Sequence, residues 1–149
     1  MITLAGEAQD VALAEAQAVL AMARDDGYRD RLASLQAAAT EGEVAGDDAE
    51  TLQELLELGL QSGRLRALYG PGSERAALAT YRRLPNGAAV TASAREVSEA
   101  LSALAGAELR SISIESVGPG AFTLSVAAGA AELTVSLDRQ GARLHSVGV

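Results

Sequence analysis

Cysteine, lysine and tryptophan are absent from this 149-residue sequence, and three tyrosines and one phenylalanine are its only aromatic residues. Without cysteine there can be no disulfide, no thiolate zinc site and no cysteine nucleophile. Because all twelve basic residues are arginine, a Schiff-base lysine and the lysine of a phosphate-binding P-loop are also excluded. The lack of lysine, together with abundant alanine, indicates a bacterial genome rich in G and C.

Long apolar runs are also lacking, and so is a basic N-terminal leader. The first residues, MITLAGEAQDVALAEAQ, carry acidic side chains and no basic one, which is not the pattern of a secretory signal. No run approaches the roughly 18 apolar residues that span a bilayer. We therefore expect a cytoplasmic protein that has no membrane partner.

The first 106 residues show helical spacing of their apolar positions. The longest such stripe consists of Ala12, Leu13, Ala16, Val19, Leu20 and Ala23. Asp47, with Glu50 three residues later, predicts the start of another helix, whose buried residues include Leu52, Leu55 and Leu56. The triplet Pro85-Asn86-Gly87 predicts the end of a later helix, and Ser93 the start of the next.

After Gly106 the apolar residues alternate with serine and threonine. Ile112 and Ile114 begin this pattern, and turns are predicted at 118–120 and 138–141. Four short strands joined by tight turns predict an antiparallel meander with one apolar face. The other face carries Ser113, Thr123, Ser125, Thr134 and Ser136, and could lie in solvent or pack against a second subunit.

The predicted fold class is therefore α+β, with a helical N-terminal two-thirds followed by a four-stranded antiparallel β-meander that packs on helix in two layers. We expect a single domain over residues 1–149, mainly helical over 1–106 and a meander over 107–149. This layout is similar to that of cystatin-like and NTF2-like folds, a likeness of architecture with no motif behind it.

Charge is distributed unevenly along the chain, which has a net charge of −8. Residues 1–62 hold thirteen acidic residues and three arginines, whereas residues 63–86 hold five arginines and one glutamate. The overall charge would repel a phosphate backbone, and no aromatic residues are placed to stack bases. Nucleic acid is thus not an expected partner, while the acidic helices could meet a basic protein.

The arginine-rich segment contains the one candidate binding site. A Gly-Pro-Gly turn before a helix at Ser73 leaves backbone N–H groups free at the positive end of the helix dipole. Arg66, Gly72, Ser73, Arg75 and Arg82 could therefore bind a small anionic group. In the alternative interpretation Ser73 only caps the helix and the arginines pair with the acidic residues of 1–62, within the chain or across a dimer.

No other residues form a recognisable catalytic or metal-binding pattern. His145 is the only histidine, and no nucleophile-elbow sequence accompanies it. The carboxylate groups Glu54 with Glu57, and Asp25 with Asp26 and Asp30, lack the spacing of a calcium loop or a di-iron site. We predict no catalytic residue, no metal and no cofactor.

These observations predict a non-enzymatic accessory or protein-interaction protein with an acidic helical surface. Its partner would be another protein or a second copy of itself in a homodimer. The alternative is a small-ligand-binding protein, NTF2-like or cystatin-like, with a pocket between helices and sheet that recognises an anionic group.

Overall fold

The computed structural model describes all residues 1–149. In chain order the elements are β1 (Ile2–Thr3), α1 (Glu7–Met22), α2 (Asp26–Glu41), β2 (Glu43–Val44), α3 (Gly46–Gln61), α4 (Arg64–Tyr81), α5 (Pro85–Ser102), β3 (Leu109–Gly118), β4 (Ala121–Ala128), β5 (Ala131–Asp138) and β6 (Gly141–Gly148). The α+β prediction is confirmed. The chain forms two compact units, Met1–Ala88 and Ala89–Val149, so the single domain over 1–149 stays a prediction.

The unit Met1–Ala88 is built on α1 to α4, whose apolar stripes meet in one core. Leucines supply most of its volume, and Leu32, Leu35, Leu52 and Leu65 have no exposed surface. The alanine stripe of α1 contributes Ala12 and Ala16 to the same core. A short antiparallel pair, Ile2 opposite Val44 and Thr3 opposite Glu43, joins β1 to β2 beside the helices.

In the unit Ala89–Val149, residues of α5 pack on one face of the predicted four-stranded antiparallel sheet. The strand order is β3-β4-β5-β6, so each strand pairs with its neighbours in sequence. Val97 packs with Leu133 and Val135 in the centre, and Leu101 and Leu104 extend the contact. Because period-2 alternation places all apolar residues of a strand on one side, the helix and sheet form the two predicted layers.

Helix α4 ends at Tyr81, before Pro85-Asn86-Gly87, but the triplet itself belongs to the next helix and the predicted helix start at Ser93 is wrong. Helix α5 begins at Pro85, where proline is favoured because the first N–H of a helix has no partner to lose. The next N–H, that of Asn86, donates to Oε1 of Gln53 at 2.8 Å. Helix α3 likewise begins at Gly46, without a side-chain cap from Asp47.

Candidate functional site

The arginine-rich segment forms α4, which is broken at Gly70. This residue has φ 89° and ψ 174°, a backbone conformation that residues other than glycine rarely adopt. The helix resumes at Pro71 with the third position occupied by Ser73, so Ser73 lies inside the helix rather than at its start. The break turns the segment into two short helices that present different arginines.

On the first of these helices, Arg64 pairs with the carboxylate of Glu15. Glu15 lies on α1 and is fully buried, while 28% of the Arg64 side chain is exposed. The hydroxyl of Tyr69 donates to the other oxygen of Glu15 at 2.9 Å. Burial, and then this hydrogen bond to the carboxylate, raise the pKa of the Tyr69 phenol, because both favour its neutral form. The cluster satisfies a buried charge and links α1 to α4.

At the start of the second helix, the position predicted to hold an anion is occupied by a carboxylate of the chain itself. The hydroxyl of Ser73 donates to Oε1 of Glu7 at 3.2 Å. A Cβ added to Gly72 would lie 2.8 Å from the same oxygen, which shows how closely Glu7 approaches the first turn. Glu7 therefore receives the favourable potential of the helix N-terminus that an external anion would need.

Two of the predicted anion-binding arginines line a cleft beside this helix. The cleft has a volume of about 310 Å³ and is formed by Arg66, Pro71, Glu74, Arg75 and Leu78. The guanidinium of Arg66 lies 3.7 Å from Oε2 of Glu74, so an acidic group already shares the site. The structure thus brings Arg66 and Arg75 together at the cleft. Gly72 and Ser73 contact Glu7 instead. Arg82 is exposed and does not line the cleft.

The expected pairing of arginines with the acidic residues of 1–62 is observed for Arg64 and not for Arg75 or Arg82. Neither of the latter forms an ion pair, and Arg83 donates instead to the carbonyl of Thr3 at 3.1 Å. Most of the acidic charge of residues 1–62 is likewise unpaired, since only Glu15 and Glu54 form ion pairs there. A net negative charge therefore faces solvent on this unit.

The remaining candidates stay apart. His145 is an exposed residue of β6, and no group of three or more His, Asp or Glu side chains lies close enough to hold a metal ion. The predicted serine and threonine face of the sheet is confirmed by the register, in which Ser113, Ser125 and Thr134 lie opposite one another on successive strands.

A feature that the sequence reasoning missed is an apolar edge on the sheet. We use this name for Leu109, Ile112 and Ile114 of β3 together with Phe122 of β4, whose exposed fractions are 56%, 61%, 60% and 41%. The register places Ile112 opposite Val126, and Val126 opposite Leu133. The apolar edge thus continues the face that packs on α5, but the contacts of α5 centre on β5, which leaves β3 uncovered.

The sequence signal for the apolar edge was present in the alternation of Ile112 and Ile114 with serine. Alternation identifies the apolar face of a strand, but it does not say which strand lies at the edge of the sheet or how far one helix reaches across it.

Comparisons with known protein families, curated proteins and solved structures give no match for the chain. None of its helices combines the length and the apolar character that crossing a membrane requires.

Proposed function

We propose that this chain is a non-enzymatic protein-interaction protein that binds its partner through the apolar edge of its sheet. The observation that carries the proposal is the exposure of four large apolar side chains in one contiguous stripe. Isolated apolar residues are common on protein surfaces, whereas a continuous stripe is typical of an interaction site.

The backbone of β3 supports the same proposal. Since β3 is the first strand of the order β3-β4-β5-β6, the N–H and C=O groups on its outer side have no neighbouring strand. A partner that adds a strand there would pair these groups and cover the isoleucines in the same step. Proteins that avoid such pairing place charged residues, above all lysine, or proline or a bulge on the edge, and the stretch Ser111–Ser116 has no proline and no bulge and carries Glu115 as its one charge.

The charge of the helical unit affects the choice of partner. Residues 1–62 carry a net charge of −10, and few of these carboxylates are paired. Such a surface attracts a basic partner through the long-range field and repels an acidic one at low salt, and a second copy of this chain would experience the same repulsion. We expect this effect to be removed by salt, because the charges are exposed.

Native mass spectrometry of gently purified protein tests the proposal. We expect the chain in a complex with protein, either another chain or a further copy, that is lost in the variant Ile112→Lys. The matched control is Val147→Lys on the opposite edge strand, because Val147 is 59% exposed and lies on the same face. A bare single chain under all conditions, or a reproducible added mass of a small molecule, would contradict the proposal.

The cleft beside Arg66 and Arg75 favours a second candidate function, the binding of a small anionic ligand. Its volume of about 310 Å³ lies at the lower end of the range typical of small-molecule sites, about 300 Å³ and above. Inorganic phosphate should then raise the melting temperature, and Arg75→Gln should abolish this effect while Arg82→Gln, outside the cleft, preserves it. An equal shift of the melting temperature by phosphate in both variants would exclude the cleft as the anion-binding site.

A further inference from the structure

We propose that the partner of the apolar edge is a second copy of this chain, and that the two β3 strands pair antiparallel about a two-fold axis at Ser113. The result is one continuous sheet formed by the four strands of each copy. This inference rests on the proposed function and adds to it the identity of the partner and the register of the contact.

The two edges of the sheet differ in a way that selects β3. Strand β6 has a register shift near its centre, where Thr134 pairs with Ser146 but Val135 with Leu144. In β3 the shifts lie near the two ends, between Leu109 and Ser111 and between Ser116 and Gly118. Because a bulge interrupts the ladder, β3 offers a regular stretch for pairing that β6 does not.

Symmetry restricts the register of such a pair. A two-fold axis perpendicular to the sheet keeps the apolar faces of both copies on the same side, so that the axis must pass through a residue position of β3. If the axis lies at Ser113, Ile112 is opposite Ile114 of the partner subunit, and Ile114 is opposite Ile112 of the partner subunit. An axis at Ile112 or at Ile114 would place only one isoleucine of each copy opposite an isoleucine of the other.

The charges of β3 are complementary in the same register. The only charged residues of the strand are Arg110 and Glu115, and neither forms an ion pair within the chain. With the axis at Ser113, Glu115 lies opposite Ser111 of the partner subunit and beside the bulged Arg110 of that subunit. Two Arg–Glu contacts thus form per dimer, and cross-strand pairs of opposite charge stabilise a sheet. Self-complementarity of both apolar and charged groups is the property that an isologous interface requires.

The absence of cysteine makes the register directly testable by cross-linking. The variant Ser113→Cys places one thiol on each copy at the axis, where opposite Cα atoms lie about 4.5 to 5.5 Å apart, within the range of a disulfide. The matched control is Ser125→Cys, because Ser125 is opposite Ser113 on β4. Its counterpart would lie three strand spacings away, about 14 Å, which is too far to bridge.

We expect mild oxidation to convert folded Ser113→Cys to a covalent dimer, and to leave Ser125→Cys uncross-linked. Circular dichroism of the reduced proteins verifies that both variants fold like the parent chain. Equal cross-linking of the two variants, or none in either, would overturn the inference.

A charge exchange tests the ionic contacts independently. Arg110→Glu and Glu115→Arg should each weaken self-association in sedimentation equilibrium by about tenfold, since each places two like-charged contacts in the dimer. The double variant Arg110→Glu/Glu115→Arg restores opposite charges across the axis and should return to within about threefold of the parent chain. A double variant that associates more weakly than either single variant would contradict the register.

These experiments separate the inference from the proposed function. A complex with a different protein that Ile112→Lys abolishes, combined with no cross-link at position 113, retains the interaction function and excludes the homodimer. A chain that binds neither itself nor another protein excludes both.

Discussion

The carboxylate of Glu15 is fully buried in the core of the helical unit, and its two partners, Arg64 and Tyr69, both lie on α4. A buried charge is costly unless opposite charge and hydrogen bonds compensate for the loss of water. The compensation here comes from a residue 49 positions away in the chain, which ties the position of α1 to that of α4.

We predict that Glu15→Gln lowers the free energy of unfolding by about 2 kcal/mol, because it leaves the partly buried guanidinium of Arg64 without its counter-charge. Urea denaturation measures this change. The control is Glu54→Gln, whose pair with Arg31 is largely exposed and should contribute at most about 1 kcal/mol. Equal effects of the two substitutions would show that burial does not strengthen the contact.

The raised pKa of Tyr69 predicts a dependence of stability on alkaline pH. A pKa that is higher in the folded state means that the folded protein holds the phenolic proton more tightly. The stabilisation is complete below the unfolded pKa of about 10 and is lost as the pH rises through the folded pKa. The free energy of unfolding of the parent chain should therefore exceed that of Tyr69→Phe at neutral pH, and this difference should disappear as the pH becomes alkaline.

Urea denaturation at several pH values measures this difference in the free energy of unfolding. At neutral pH it should be about 1 kcal/mol, because the variant lacks the hydrogen bond to Glu15. Tyr81, whose pKa is raised by burial and by the charge of Glu57, titrates in both proteins and cancels in the comparison. A difference in the free energy of unfolding that grows with pH would contradict a raised pKa of Tyr69 in the folded protein.

At the scale of secondary-structure elements, α3 and α4 pack closely because Gly59 has no side chain. A Cβ at this position would lie 2.8 Å from Cγ of Leu65, and Leu65 is fully buried. The leucine has little room to move in a closely packed core. The contact between the two helices thus depends on glycine despite the low helix propensity of that residue.

We predict that Gly59→Ala destabilises the helical unit by about 1 to 2 kcal/mol, since overpacking outweighs the gain in helix propensity of up to about 1 kcal/mol. Gly27→Ala, in α2, is the control. Its Cβ would meet only Oδ1 of Asp25 at an ordinary 3.5 Å, so the variant should be more stable by about 0.5 to 1 kcal/mol. Thermal and urea unfolding of both variants give the sign, and a stabilised Gly59→Ala would contradict the packing argument.

The elements also show what could be read from the sequence and what could not. The strands followed from alternation, because Leu124, Val126, Leu133 and Val135 occupy the face that the period predicts. The start of α5 was missed, because Pro85 was interpreted as a helix stop although proline is equally suited to the first position of a helix. The bond from the N–H of Asn86 to Oε1 of Gln53, which is distant in sequence, has no local signal. The cleft arginines were identified from local charge, whereas the approach of Glu7 to Gly72 depends on the packing of α1 against α4.

At the scale of the whole molecule, the chain has two hydrophobic cores of different size. The core of Met1–Ala88 contains fifteen buried apolar residues, whereas Val97, Leu133 and Val135 form the buried centre of the other unit. Since apolar burial is the main favourable contribution to folding, the smaller core stabilises its unit less. The apolar edge adds to this difference, because its side chains remain exposed in the single chain.

We therefore predict that the sheet unit opens at a lower free energy than the helical unit. Hydrogen exchange followed by mass spectrometry resolves the two, because amides report the stability of the segment in which they lie. At a concentration at which the chain is monomeric, peptides from β4 and β5 should exchange before peptides from α1 and α3. Amides of β3 should gain protection as self-association increases, and Ile112→Lys should remove that gain while Val147→Lys retains it. Exchange of both units in one cooperative step would instead support a single domain over residues 1–149.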